Sequence, residues 1–211
     1  MPNISNSIQI IDYGMGNLRS VQKAFERIGV EADICQNPSE LSNASRVVLP
    51  GVGGFRDAIQ ALRGHGFVNA IEDFIATKKP FLGICLGLQL LFDVSYEDGQ
   101  WEGLGIFPGQ VVRFDEHAEL KIPHIGWNTL HTKTDCPLFS QIPQDSFFYF
   151  VHSYYAIPKD NKLTSGVCDY GCDFTASVTK GNIFATQFHP EKSQRWGLQL
   201  LKNFATMGGT P

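Results

Sequence analysis

Gly83-Ile84-Cys85-Leu86-Gly87 is the stretch from which the fold of this chain is read. Apolar Pro80-Phe81-Leu82 precedes it, and Leu88-Gln89-Leu90-Leu91-Phe92, free of Gly, Pro and β-branched residues, follows. A strand, a sharp turn and a helix are expected in that order. Glycines two before and two after the cysteine permit a strained backbone, which lifts one side chain clear at the carboxyl end of a strand, as in a nucleophile elbow. The first turn of the helix would aim free N–H groups at the sulfur and favour the thiolate. A buried core cysteine is the competing reading, and the local pattern does not separate the two.

Outward from the elbow the chain alternates strand and helix. Ser7 to Tyr13 is strand-like, Gly14-Met15-Gly16-Asn17 turns it, and Leu18, Val21, Phe25 and Ile28 recur at helical spacing until Gly29. Val30 to Cys35 and Arg46 to Leu49 read as further strands, the second continuously apolar as a strand buried on both faces should be. Helical sequence follows the loop Pro50-Gly51-Val52-Gly53-Gly54, breaks at Gly64-His65-Gly66 and resumes from Phe67 to Thr77. Beyond Trp101 strands dominate: Gly105 to Phe114, Phe147 to Tyr155, Thr175 to Thr179 and Ile183 to Phe188, the last two joined by a Gly181-Asn182 hairpin connection. Ser193 to Phe204 closes the chain as a helix, with Ser193 as N-cap and Trp196, Leu200, Leu201 and Phe204 on its inner face. The expected fold is one α/β domain over 1–211, ordered from about 7 to 207, with a flavodoxin-like, mixed and mostly parallel sheet covered by helices.

Composition narrows the class. The 211 residues are 43% hydrophobic and 18% charged, as in an ordinary globular protein, with a formal charge of −4. No block of Lys and Arg offers a footprint for nucleic acid, and no apolar run approaches membrane-spanning length. Five scattered cysteines, Cys35, Cys85, Cys136, Cys168 and Cys172, and a start without a basic and then apolar region point to a reducing, cytoplasmic setting. Cys168 and Cys172 lack metal-knuckle spacing and a nearby histidine, so no metal site is expected, and no cofactor is called for.

A cysteine nucleophile needs a general base, and the base needs an orienting group. His189-Pro190-Glu191 offers both just after an expected strand, where parallel sheets place their sites. Taken alone, Glu191 reads as a negative charge at the start of the last helix. Paired with Cys85, it reads as the third member of a triad. Pro50-Gly51-Val52-Gly53-Gly54 is neither a phosphate loop nor a dinucleotide fingerprint. Its backbone N–H groups could stabilise an oxyanion together with that of Leu86.

These residues resemble the class I triad glutamine amidotransferases: Gly-Ile-Cys-Leu-Gly with Gln89 four residues on, Pro-Gly-Val-Gly upstream, and His-Pro-Glu near the C-terminus. Asp12-Tyr13-Gly14-Met15-Gly16-Asn17, Pro123-His124-Ile125-Gly126-Trp127-Asn128, Tyr149-Phe150-Val151-His152-Ser153-Tyr154 and His189-Pro190-Glu191-Lys192-Ser193 further resemble the family of glutaminase subunits of imidazole glycerol phosphate synthase. The resemblance implies the class I architecture and hydrolysis of L-glutamine by Cys85, His189 and Glu191. It implies substrate contacts at Gly53, Gln89, Ser153 and Tyr154, and an oxyanion hole at Val52 and Leu86. Ammonia would pass to a separate (βα)8-barrel cyclase subunit, faced by Asn17, Trp127 and Lys192, which makes imidazole glycerol phosphate and the aminoimidazole carboxamide ribotide of histidine biosynthesis. Capping of the first helix is an equal reading for Asn17, and His124 and His152 are read as satisfied structural histidines; His65, His117 and His131 are left at the surface. Rival readings are a duplicated amidotransferase serving another acceptor, such as surface-sugar amination, and a redox-sensing α/β protein whose elbow cysteine is oxidised.

Overall fold

The computed structural model describes residues 7–115, 120–133 and 135–207. His117 and both ends of the expected 1–211 domain lie outside the described residues. In chain order the elements are β1 (Ile8–Ile11), α1 (Leu18–Arg27), β2 (Ala32–Cys35), β3 (Arg46–Gly51), α2 (Phe55–Gly64), α3 (Phe67–Ala76), β4 (Phe81–Cys85) and α4 (Leu86–Leu90). There follow β5 (Phe92–Ser95), β6 (Trp101–Glu102), β7 (Phe107–Arg113), β8 (His124–Thr132), β9 (Ser146–His152) and β10 (Tyr154–Pro158). Last come β11 (Thr164–Asp169), β12 (Asp173–Lys180), β13 (Ile183–Thr186) and α5 (Gln194–Thr206).

Strands β2-β1-β3-β4-β13 lie side by side and parallel, in the flavodoxin-like order with β13 as the fifth strand. Every residue of β3 and β4 is buried, which is why β4, and β3 from Val47 onward, read as apolar runs. Helices α1 and α5 cover one face through Val21, Phe25, Leu200 and Phe204, and α2 and α3 cover the other through Phe55, Leu62, Ile71 and Phe74. Buried Arg46 of β3 donates to the Phe204 and Met207 carbonyls at the end of α5, tying the helix to the strand. From β13 the sheet continues through β12, β10, β7, β5 and β6, while β11 leads off to β8 and β9.

Register is what builds a site here. Gly51 is opposite Cys85 across β3 and β4, and Ile84 is opposite Thr186 across β4 and β13. The carboxyl ends of three strands therefore converge, and with them the glycine loop, the cysteine and the stretch leading to His189. Among the described residues no helix is long and apolar enough to cross a membrane.

Three sequence expectations change. The helix after the elbow is one turn long, and Phe92 starts β5 instead. Carbonyls of Leu90, Leu91 and Phe92 are taken by N–H groups of residues 104–107, so no second turn forms. The run from Phe147 to Tyr155 is two strands broken at Ser153, because β9 pairs with β8 whereas β10 pairs with β7 and β12. Strands β8 and β11 were not expected: Gly126 and two histidines hide the first, and β8 becomes a strand only by pairing with β9 and β11.

Candidate active site

At the elbow the strained residue is the cysteine itself, with φ +55°. The flanking glycines serve close approach rather than strain. A Cβ on Gly83 would lie 2.8 Å from the Gly87 carbonyl oxygen, and one on Gly87 would lie 1.9 Å from that of Leu49. Gly51 is likewise forced, since its Cβ would sit 2.8 Å from that of Leu86. The turn is thus pressed onto β3, and Cys85 is held in a conformation that costs a non-glycine residue about 1–3 kcal/mol.

His189 is fixed from two sides. Its backbone N–H donates to the Tyr149 carbonyl at 2.9 Å, and the 3-10 turn Pro190–Lys192 that follows is pressed by α5, where a Cβ on Gly197 would lie 1.8 Å from the Pro190 oxygen. Ser193 stands at the N-cap position of α5 but makes no capping bond. Its hydroxyl instead donates to the His189 carbonyl at 2.6 Å and accepts from Tyr149 N–H at 3.0 Å. The imidazole and the Glu191 carboxylate meet at 2.7 Å between Nδ1 and Oε1, with the two side chains 2% and 1% exposed. Nδ1 must carry the proton toward that carboxylate, which leaves the buried Nε2 without a hydrogen-bonding partner.

Burial pushes His189 down, but the charge of Cys85 and the Glu191 carboxylate outweigh it and raise its pKa to about 10. A raised histidine stabilises the fold fully below its unfolded pKa of about 6.5 and loses that contribution as pH rises toward the folded value. Glu191→Gln is therefore expected to flatten the decline of Tm between about pH 6.5 and 10, and to lower glutamine turnover by on the order of a hundredfold or more. Thermal melts across that range check the first effect; a wild-type-like slope in the variant would mean that Cys85, not Glu191, holds the histidine's pKa up.

A cavity of about 290 Å³ opens over Cys85 and His189. Gly53, Gln89, Ser153 and Tyr154, the four residues expected at a substrate site, all line it, as do Val52 and Leu86. Gly53 has φ +91°, and a Cβ there would lie 3.0 Å from Met15 Cε. The loop 12–17 braces this segment from below, since Tyr13 donates its hydroxyl to the Pro50 carbonyl at 3.1 Å.

Three further residues escaped sequence reasoning. Glu97 lines the cavity and accepts from Phe55 N–H at 2.6 Å, capping α2; burial pushes its carboxyl up while that N–H opposes the shift. Gln187 is fully buried, with Nε2 3.8 Å from Cys85 Sγ. Its signal was present: an amide within the apolar run Ile183 to Phe188 must find a partner. Tyr13, also fully buried, carries a phenol that burial and Cys85 hold well above its ordinary value.

The expected partner-facing residues diverge. Asn17 accepts from Ser20 N–H at 3.4 Å as the cap of α1. Trp127 is 44% exposed and stands edge-on to Tyr149 at 6.0 Å. Lys192 lines the cavity, its Nζ 5.8 Å from the Tyr149 ring centroid.

Residues 9–207 match the model of the glutamine amidotransferase class-I family. The chain belongs to that family. Among relatives of this class-I amidotransferase is the imidazole glycerol phosphate synthase subunit HisH of Rhodopirellula baltica, 54% identical over 199 residues, covering 94% of this chain and 97% of the relative. Subunit HisH 1 of Campylobacter jejuni is 51% identical over 201 residues, covering 95% and 100%. The class-I fold is shared with the structure of PurLQS from Thermotoga maritima, at TM-score 0.75 and 18% identity, covering 94% of this chain and 96% of that one. The amidotransferase chain is thus an enzyme of the HisH branch, and the flavodoxin-like order of its parallel strands is the family's architecture.

Proposed function

We propose that the chain is the glutaminase subunit of an imidazole glycerol phosphate synthase and that Cys85, His189 and Glu191 carry its chemistry. The observation behind this reading is the 2.7 Å His189–Glu191 contact, with Nε2 left unpartnered beside a cysteine strained at a strand end. Cys85 gives its thiol proton to His189 Nε2 as the sulfur attacks the side-chain carbonyl carbon of glutamine, and the oxygen becomes an oxyanion received by Leu86 N–H and a backbone group at Val52. His189 gives its Nε2 proton to the departing ammonia as the C–N bond breaks, leaving a γ-glutamyl thioester. Water, deprotonated by the same nitrogen, then attacks the thioester, releases glutamate and returns the thiol. Gln89, Ser153 and Tyr154 bind the substrate, and the Glu97 carboxylate suits its ammonium group. Each oxyanion donor supplies on the order of a hundredfold in rate, so a Val52 peptide that must reorient would leave the free subunit slow.

The surface supports a partner. Ile125, Trp127 and Phe147 are 59%, 44% and 55% exposed on the β8–β9 hairpin, and Val151, opposite Ile125, lines the cavity. An apolar, aromatic stripe leading to a catalytic mouth is what a (βα)8 cyclase receiving ammonia would cover. Trp127→Ala should weaken that assembly by roughly thirtyfold, the size of an aromatic hot spot, while leaving the fold intact. Unchanged association in a titration calorimeter would remove Trp127 from the interface.

The decisive experiment measures glutamate released from glutamine by the chain alone and with the (βα)8 cyclase of the same cell plus a nucleotide analogue. Strong stimulation is the expected result. Silence in both, with Cys85 still labelled by a glutamine-like electrophile, would keep the triad and discard the partner.

A further inference from the structure

Two histidines outside the triad sit on the hairpin strands beside the cavity, which His152 helps to line. His124 and His152 are paired across β8 and β9, with His124 Nδ1 3.1 Å from His152 Nε2. His152 Nδ1 lies 2.8 Å from the Tyr154 carbonyl, and a carbonyl only accepts, so that nitrogen carries the proton. In the neutral ring Nε2 is then an acceptor, and His124 Nδ1–H is its donor. His124 Nε2, left as an acceptor, faces the Asn128 amide nitrogen at 3.4 Å, and that nitrogen also donates to the Asp169 carbonyl at 2.8 Å. Burial keeps both rings neutral, pushing His124 down to about 4 and His152 down to about 3. Phe150 and Tyr170 sandwich the His124 ring at centroid distances of 4.8 and 3.9 Å.

The chain of bonds continues past Tyr154. Its carbonyl also accepts from Gln89 Nε2 at 2.9 Å, and that nitrogen donates again to Gln187 Oε1 at 3.0 Å. Gln187 Nε2 in turn reaches Cys85 Sγ. With both amide hydrogens committed inside the protein, Gln89 presents only its oxygen to the cavity. That oxygen accepts from an N–H, which a carboxamide or an ammonium supplies and a carboxylate does not.

We infer that His152, held by His124, is a positioning residue for glutamine turnover, fixing the Tyr154 carbonyl and through it the Gln89 amide that meets the substrate. Substrate never touches His124; its effect reaches the cavity through one buried donor. The relay starts on the strand carrying Trp127, so it ties the exposed hairpin to the glutamine site. This inference rests on the glutaminase reading above.

Its test compares His152→Leu, which removes the donor, with His152→Asn, whose amide nitrogen can replace Nδ1. Steady-state glutamate release is measured in the assembled enzyme. His152→Leu is expected to raise KM for glutamine about tenfold, the worth of one buried hydrogen bond, with a smaller change in kcat. His152→Asn should return KM to within about twofold of wild type, because it restores the donor. Cys85 alkylation by iodoacetamide, which needs no glutamine subsite, should proceed at the wild-type rate in all three proteins. Should His152→Leu fail to fold, His124→Phe keeps the ring sandwich, removes the donor to His152 and is expected to raise KM about threefold. An unchanged KM in the folded Leu or Phe variant, or an Asn variant as impaired as Leu, overturns the relay. Absence of glutamate release in the wild type would instead overturn the glutaminase reading on which it stands.

Discussion

Cys85→Ala is expected to lower glutamine-dependent synthesis by on the order of 10⁴- to 10⁶-fold while leaving the assembled enzyme competent with free ammonia. In the proposed mechanism the sulfur bonds the substrate carbon, and no other thiol among the described residues lines the cavity. Removing it takes away the covalent route entirely, and the oxyanion donors and binding residues cannot replace a nucleophile. The fold should survive, since alanine needs less space and relieves none of the contacts made by Gly83 and Gly87. Parallel assays with glutamine and with ammonium salt at high pH check both halves of the statement. Loss of the ammonia-dependent reaction as well would mean that Cys85 serves the acceptor chemistry, and the division of labour between two subunits would fall.

A methyl group at Gly87 should do comparable damage by another route. Its Cβ would stand 1.9 Å from the Leu49 carbonyl oxygen, a backbone atom inside a fully buried strand that has nowhere to move. Either β3 and β4 separate or the elbow unwinds, and both displace Cys85 from His189. We expect Gly87→Ala to cost about 3 kcal/mol or more, a fall in Tm of roughly 6–12 °C for a chain of this size, with activity lost even in the folded fraction. Gly64→Ala is the control. It lies at the end of α2, where a Cβ meets nothing within 4 Å, and it should be neutral or stabilising by up to about 1 kcal/mol. Similar melting temperatures for the two variants would show that the close approach at the elbow does not matter.

Much of this molecule was legible in one dimension. The apolar runs at Val47 to Leu49 and Phe81 to Cys85, and the helical spacing of Leu18, Val21, Phe25 and Ile28, announced the parallel half because burial on both faces, or on one stripe, leaves a readable trace. Cys85 and the His189-Pro190-Glu191 turn were readable for a similar reason: their chemistry demands particular residue types at short spacing. What no spacing contains is register across strands far apart in sequence. Gln187 reaches Cys85 from 102 positions away and Gln89 from 98, and His124 meets His152 only because β8 and β9 pair in one alignment. The strain at Cys85 and the packing role of its glycines were likewise invisible, since both depend on how close Leu49 comes to the turn. The sequence by itself determined the parallel sheet, the elbow and the His189-Pro190-Glu191 turn proposed to serve it, whose signals are local. Only the tertiary structure decided which amides and imidazoles surround them, because those contacts are made by backbone pairing that brings separate segments together.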